Sequence, residues 1–162
     1  MIYLIATVSD NNIIGVEGLL PWAFKKNLQW FRMHTFNSAI IMGRKTWESL
    51  SDTPLSDRIN IVLTRGPCPE DQPSVIWRNS MTNAMNFANE RSKNIYIVGG
   101  GEIFHLSFAY KIDGIIMTKV HKTVCTDKKT TEIVLPINKQ LIWRSKEQEE
   151  EDIYYHFELL KL

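Results

Sequence analysis

One ten-residue stretch, Ile95 to Phe104, constrains the fold more than any other part of the chain. It runs Ile-Tyr-Ile-Val-Gly-Gly-Gly-Glu-Ile-Phe, an apolar segment followed by three glycines. An apolar run of strand length without polar alternation is typical of a strand covered on both faces, which favours a parallel sheet. Glycines at a strand-to-helix junction admit a ligand close to the backbone, and the helix start favours an anion. The stretch alone leaves a phosphate-binding turn and an unliganded tight turn equally favoured.

The composition predicts one domain with an ordinary core. The chain has 162 residues, of which 44% are hydrophobic and 23% charged, and its net charge is +1. This small charge argues against nucleic-acid binding, so any anion site must be built from a few placed cations. No apolar run approaches membrane length and no basic leader precedes the first strand, so a cytoplasmic protein without a membrane partner is expected.

The cysteines and histidines suggest no site chemistry. Cys68 and Cys125 lie in polar, turn-like surroundings, which favours reduced thiols without a chemical role. The four histidines are scattered along the chain, and none is paired at the helical spacing of metal ligands, so no metal site is expected.

The segment after the first strand is unusually apolar for a connection. Ile2–Val8 predicts a buried strand, and turn-forming residues follow it. The segment Ile13–Trp22 then carries two glycines, a proline and several large apolar side chains without a regular period. It is either a loop packed on its own core or a mobile lid over a cleft at the carboxyl end of the first strand.

An amphipathic helix is predicted from Ala23 to Thr35. Its apolar residues recur at helical spacing, and positions three and four apart place Asn27, Leu28 and Phe31 on one buried face. Because a buried amide requires hydrogen-bond partners, Asn27 is expected to find them on a neighbouring element.

Three predicted strand ends combine cations, hydroxyls or glycines. The strand Ala39–Met42 leads into Gly43, Arg44, Lys45 and Thr46, and the strand from Ile59 ends at Thr64 and Arg65. Cations at a helix start oppose the dipole rule for helix stability but suit a site that converges on phosphate. A single phosphate-bearing ligand that spans these ends and the triple glycine would explain all three.

The remaining elements are a loop over 51–57, a strand over 75–77, a helix capped by Ser80 that ends near Arg91, a helix over 102–111, a strand over 112–120 and a hairpin of 141–146 with 153–160. The strand over 75–77 and the helix after it are interpreted as packing, whereas the hydroxyl of Thr118 either faces the cleft or lies on the sheet without a role. The acidic run Glu149-Glu150-Glu151-Asp152 is interpreted as a solvated loop at the hairpin tip.

Together these motifs resemble the dihydrofolate reductase family, in unbroken order from residue 2 to about residue 160. They are Leu20-Pro21-Trp22, position 27, the run Ile41–Ser49, Thr64-Arg65 and Val98–Phe104. The resemblance implies one domain over 1–162 with an adenosine-binding subdomain over about 38–90. It also implies an α/β fold whose eight-stranded sheet is mostly parallel, with an antiparallel C-terminal hairpin and helices on both faces. The expected protein is a monomer that transfers hydride from NADPH to dihydrofolate and binds antifolate inhibitors.

The resemblance also assigns roles to individual residues. Asn27, Trp22 and Thr118 would be catalytic, and Ile14–Leu20 would form the lid. Ile5, Thr7, Leu28 and Phe31 would surround the pterin, Leu50 and Leu55 the benzoyl ring, and Arg58 would bind the glutamate α-carboxylate. NADPH would be held by Ile14, Leu20, Gly43, Arg44, Lys45, Thr46, Thr64, Arg65, Val98, Gly99, Gly100, Gly101, Glu102, Ile103 and Phe104.

The sequence departs from the family pattern mainly at Asn27. The family carries Asp or Glu there, whose carboxylate accepts hydrogen bonds from the pterin and helps to deliver a proton to N5. An amide cannot ionise, so impaired protonation is expected. Phe104 stands where Tyr is frequent, and either Asp127 or Glu132 could supply the acid that contacts the lid.

Two function classes remain open at this point. The first is a dihydrofolate reductase with weakened proton delivery, and the second is a catalytically quiet relative that binds NADPH or folate. Retention of Arg44, Arg58 and Trp22 together favours the first. Another NADPH reductase with the same topology is disfavoured by Leu20-Pro21-Trp22 and Arg58.

Overall fold

A computed structural model describes residues 1–51 and 53–162; residue 52, within the predicted 51–57 loop, lies outside the described residues. The strands are β1 Ile2–Val8, β2 Ile13–Val16, β3 Ala39–Gly43, β4 Ile59–Leu63, β5 Val75–Arg78, β6 Ile95–Gly99, β7 Gly114–Val120, β8 Thr130–Glu132, β9 Gln140–Arg144, β10 Gln148–Glu150 and β11 Ile153–Lys161. The helices are α1 Lys25–Thr35, α2 Arg44–Ser49, α3 Met81–Arg91 and α4 Gly101–Ser107. Within the described residues, no helix combines the length and the apolarity needed to cross a membrane.

Eight strands form one continuous mixed sheet in the order β10-β11-β7-β1-β6-β3-β4-β5, and β9 also pairs with β11. The six strands from β7 to β5 in this order are parallel to one another. At one edge β11 runs antiparallel to β7, β9 and β10. The predicted fold class is therefore confirmed.

Both faces of this sheet are covered. Successive side chains of a strand point to opposite faces, so Ile40 and Ile41 enter different apolar clusters. Ile41 lies in the cluster that contains the buried residues of α3 and α4, whereas Ile40 lies against Phe31 of α1 and Trp47 of α2. Burial on both faces explains why the parallel strands show no polar alternation.

The C-terminal hairpin differs from its prediction. The predicted hairpin of 141–146 with 153–160 contains an additional short strand, β10, which pairs with β11 through the turn at Glu151 and Asp152. Both turn residues have positive φ, at 54° and 59°, as a two-residue hairpin turn requires. The interpretation of the whole acidic run as a solvated loop is therefore wrong, because Glu149 and Glu150 belong to β10.

Candidate active site

A cleft of about 910 Å³ opens at the carboxyl ends of the parallel strands. Its lining includes the last residues of β3, β4 and β6 and part of β1, with Asn27, Leu28 and Phe31 of α1 forming one wall. Open α/β sheets place their ligand sites at this edge because neighbouring strands end there together.

A buried hydrogen-bond chain joins α1 to the two central strands of this wall. Nδ2 of Asn27 donates to Oγ1 of Thr7 at 2.9 Å, and Oγ1 of Thr118 donates to Oδ1 of Asn27 at 2.6 Å. Thr7 and Thr118 are direct partners across β1 and β7, and the exposed fraction of Asn27 is only 9%. An amide has two donor and two acceptor positions, so Asn27 keeps one of each for a ligand. The sequence predicted that this buried amide needs hydrogen-bond partners, and the structure identifies them as Thr7 and Thr118.

Carboxylates are scarce in the cleft. Among the described residues that line it, the one carboxylate is Glu102, whose Oε1 lies 3.4 Å from Nη1 of Arg65. Both side chains of this pair are mostly exposed. Within the described part of the cleft, the hydrogen-bond partners of the Asn27 side chain are thus two threonine hydroxyls and no carboxylate.

The opposite end of the cleft is cationic. Arg44, Lys45 and Arg65 line it together with the hydroxyls of Thr46 and Thr64. Nη1 of Arg44 lies 2.6 Å from Oε1 of Glu48, one turn along α2, and both side chains are about half exposed. Such exposed ion pairs contribute only about 0–1 kcal/mol to stability. An anionic ligand can therefore replace the glutamates as the partner of these cations at little cost in free energy.

The glycine turn joins β6 to α4 and lies close to β8. Gly99 has φ of +114°, a conformation that other residues rarely adopt, and its peptide bond to Gly100 is cis. A Cβ on Gly101 would lie 2.6 Å from Cγ2 of Thr131 in β8. Two of the three glycines are therefore required by the local backbone or by the close approach of β8.

Gly101→Ala is expected to destabilise the protein by about 1–3 kcal/mol, since its methyl group overlaps Thr131. Thr131→Ser removes the overlapping Cγ2 and should recover most of this loss in the double variant. Thermal unfolding of the single and double variants measures the coupling. Gly66→Ala is the control, because its Cβ would meet nothing closer than 3.7 Å. Additive effects of the two substitutions would contradict the assigned contact.

The predicted lid is held by backbone hydrogen bonds. β2 pairs antiparallel with β8, and the N–H of Glu17 donates to the carbonyl of Lys129 at 2.8 Å. Lys128 adds an exposed contact, with Nζ 3.6 Å from Oε2 of Glu17. The lid contact that the sequence left open between Asp127 and Glu132 is thus made by a backbone carbonyl, while Glu132 contributes through its place in β8.

The structure brings all but two of the predicted site residues into the cleft lining. Trp22 is half buried and stacks on Phe24, with ring centroids 6.5 Å apart, in the cluster that contains Tyr155. Arg58 lies behind Phe31, with its guanidinium carbon 6.0 Å from the ring centroid. The residues in the lining are Ile5, Thr7, Ile14, Leu20, Asn27, Leu28, Phe31, Gly43, Arg44, Lys45, Thr46, Leu50, Leu55, Thr64, Arg65, Val98, Gly99, Gly100, Gly101, Glu102, Ile103, Phe104 and Thr118.

The guanidinium of Arg58 is oriented by its neighbours. Nε donates to Oγ1 of Thr35 at 2.7 Å, and Nη1 donates to the carbonyl of Ser56 at 2.6 Å. Burial and the nearby Arg32 lower the pKa of Arg58 from its usual value, although Asp57 opposes this shift. Two neighbouring guanidiniums beside the cleft wall favour an anionic group at this position.

Several lining residues were assigned no role from the sequence. Those outside the predicted lid are Ala6, Ser49, Leu63, Gly66, Pro67, Asn79, Ser80, Met81, Leu106, Lys129 and Thr131, whereas Gly15, Gly18 and Leu19 belong to the predicted lid. The interpretation of the α3 start as packing alone is incomplete, because Asn79 and Ser80 line the cleft while Ser80 also accepts from the N–H of Asn83. The available signal was a further strand followed directly by a helix, the same pattern as at β3 and β6.

The comparisons with known proteins agree with this geometry. A dihydrofolate reductase from Haemophilus influenzae is 38% identical over 72% of this chain and 70% of its own length. Dihydrofolate reductases from Buchnera aphidicola of Acyrthosiphon pisum and of Baizongia pistaciae are 40% and 32% identical, over 64% and 99% of this chain and 62% and 97% of their own lengths. The family model described as Dihydrofolate reductase matches residues 1–162. The chain therefore belongs to the dihydrofolate reductase family.

Proposed function

We propose that the protein reduces 7,8-dihydrofolate to tetrahydrofolate with hydride from NADPH. The observation that carries this proposal is one cleft that joins the buried Thr7–Asn27–Thr118 chain to a cationic end. Its volume of about 910 Å³ lies near the upper end for ligand pockets, roughly 300–1,000 Å³, which suits two ligands lying end to end. NADPH supplies the hydride when bound.

The two ends of the cleft suit different parts of these ligands. Arg44, Lys45, Thr46, Thr64 and Arg65 would hold the adenosine end of NADPH and its 2′-phosphate, and residues 99–103 would lie along the pyrophosphate. The apolar side chains of Ile5, Leu28, Phe31, Leu50 and Leu55 would cover the pterin and benzoyl rings and exclude water from them. Leu19 and Leu20 of the lid are more than half exposed and would supply apolar contacts to ligands that fill the cleft.

Asn27 would orient the pterin without supplying a proton. Its free acceptor position can receive one pterin N–H, but its second free position is a donor, where a carboxylate would accept. N5 must then take its proton from solvent, which makes protonated substrate the reactive form. The enzyme should therefore be slow at neutral pH and faster in mild acid.

Steady-state oxidation of NADPH with dihydrofolate across pH tests the proposal. Turnover that depends on both compounds and rises as pH falls is the expected result. Tight binding of both compounds without turnover at any pH would instead identify the catalytically quiet relative. Failure to bind dihydrofolate would reject both functions.

Arg58→Leu is expected to raise KM for dihydrofolate about 10- to 100-fold, since a charge-assisted contact contributes about 1.5–3 kcal/mol. The dissociation constant of NADPH should stay unchanged, because Arg58 precedes β4, whereas the predicted cofactor residues Thr64 and Arg65 follow the opposite end of this strand and the others lie on other elements. Arg58→Lys keeps the positive charge but lacks the planar guanidinium, so its KM for dihydrofolate should lie between those of the parent and Arg58→Leu. A loss of NADPH affinity instead would place this residue at the wrong site.

A further inference from the structure

The first turn of α1 lacks the usual local stabilisation. Its N-cap residue, Phe24, makes no side-chain hydrogen bond, and the turn contains no acidic residue. It begins instead with Lys25 and Lys26, whose charges oppose the helix dipole. Asn27 is the third residue of this helix, so the cleft-facing amide lies on a first turn without a local cap.

A carboxylate from the far end of the sequence supplies the missing cap. Oε2 of Glu150 accepts from the N–H of Lys25 at 2.8 Å, and Oε1 accepts from the N–H of Lys26 at 3.1 Å. The hydroxyl of Tyr155 donates to the same Oε1 at 2.6 Å. Gln148, two residues before Glu150 on β10, makes a further hydrogen bond to α1. Its Oε1 accepts from Nζ of Lys26 at 2.6 Å.

The protonation of this carboxylate follows from the same contacts. The hydrogen bond from Tyr155 lowers the pKa of Glu150, burial opposes this shift, and the two backbone N–H groups and the charge of Lys26 lower it further. The titratable side chains that act on Glu150 are Lys26 of α1 and Tyr155 of β11. Because the folded pKa lies below the unfolded value of about 4.3, the stabilisation is complete above that pH and is lost as pH falls through the folded pKa.

We propose that Glu150 is a positioning residue for the substrate half of the cleft, which it holds in its binding-competent form by capping the turn that carries Asn27. This inference rests on the proposed function. When the cap is absent, the first turn frays and only a fraction of molecules present Asn27 and Leu28 correctly. The apparent affinity for substrate falls in proportion to the fraction of molecules with a formed turn, and the turn is formed again once substrate is bound. The effect therefore falls on KM and leaves kcat unchanged.

The test compares Glu150→Gln and Glu150→Ala with Glu149→Gln. Glu149 neighbours Glu150 on β10 but is exposed and points to the opposite side, so its variant removes the same charge without removing the cap. We expect KM for dihydrofolate to rise by up to about five- to tenfold in Glu150→Ala, the limit that a lost helix cap sets, and by less in Glu150→Gln, whose amide oxygen can still accept from one N–H. The kcat value and the dissociation constant of NADPH should stay within about twofold of the parent in all three.

Hydrogen exchange on the ligand-free proteins gives a readout that does not require activity. The amides of Lys25, Lys26 and Asn27 should exchange faster in the Glu150 variants and unchanged in Glu149→Gln. Exchange that rises uniformly over the whole sheet, with KM unchanged, would show that Glu150 only stabilises the fold and would overturn the proposal. A parent chain that fails to turn over dihydrofolate would reject the proposed function, while the exchange pattern would still decide whether Glu150 holds the turn.

Discussion

Asn27→Asp is expected to raise kcat/KM for dihydrofolate near neutral pH by roughly two to three orders of magnitude, the effect of introducing a charged partner worth a few kcal/mol. The physical reason lies in the hydrogen-bond count. A carboxylate accepts from both Thr7 and Thr118 and still offers two acceptor positions to the pterin, whereas the amide offers one. The variant should also show a titration that belongs to its carboxyl group. In the parent, the rate should climb steadily as pH falls.

The matched control for this change is Asn79→Asp. Asn79 lines the same cleft, so its variant adds the same charge without placing it beside Thr7 and Thr118. It should leave the pH profile of turnover unchanged. Asn27→Asp should also tighten the binding of diaminopyrimidine and diaminopteridine inhibitors, because their protonated rings favour an ionised partner. If Asn27→Asp changed neither the rate nor inhibitor affinity, the active-site assignment would be wrong while the fold remained right.

NADPH is expected to bind roughly two to four orders of magnitude more tightly than NADH. The 2′-phosphate can replace Glu48 and Glu102 as the partner of Arg44 and Arg65, and each charge-assisted contact contributes about 1.5–3 kcal/mol. Equilibrium titration of both cofactors at two salt concentrations measures the preference. The affinity for NADPH should fall with added salt more than the affinity for NADH, since only NADPH carries the 2′-phosphate.

Single substitutions distinguish a direct contact of the cationic end with the 2′-phosphate from the effect of removing any positive charge. We expect Arg44→Ala and Arg65→Ala each to weaken the binding of NADPH and to leave the binding of NADH nearly unchanged. Arg91→Ala is the control, because this guanidinium lies at the exposed end of α3 beside Glu90. Equal dissociation constants for NADPH and NADH in the parent would exclude a 2′-phosphate site at this end.

Local patterns predicted the parts of this protein that depend on neighbours in sequence. Strands buried on both faces are recognisable because they lack polar alternation, and β6 illustrates this with its apolar run before Gly99. In a parallel sheet neighbouring strands end at the same edge, which is why Arg44 and Thr64, at the ends of two different strands, line one cleft.

Contacts between residues distant in sequence were not predictable in the same way. Nothing around Glu150 indicates that it caps a helix 124 residues earlier, because the capping geometry exists only after β10 docks beside α1. The position of Trp22 likewise depends on Phe24 and Tyr155, which come together only through α1 and β11. The lid contact is invisible in side-chain patterns, since the carbonyl of Lys129 belongs to the backbone.

The central position of β1 determines when this strand can be completed during synthesis. β1 pairs with β6 and β7, and its first residue, Ile2, faces Ile95. At about 5–20 residues per second, the ribosome needs roughly 5–20 s to make the intervening chain. During that time the apolar β1 has neither of its strand partners and presents open edges to other proteins. Its protection before β6 and β7 are made therefore depends on the environment of the nascent chain.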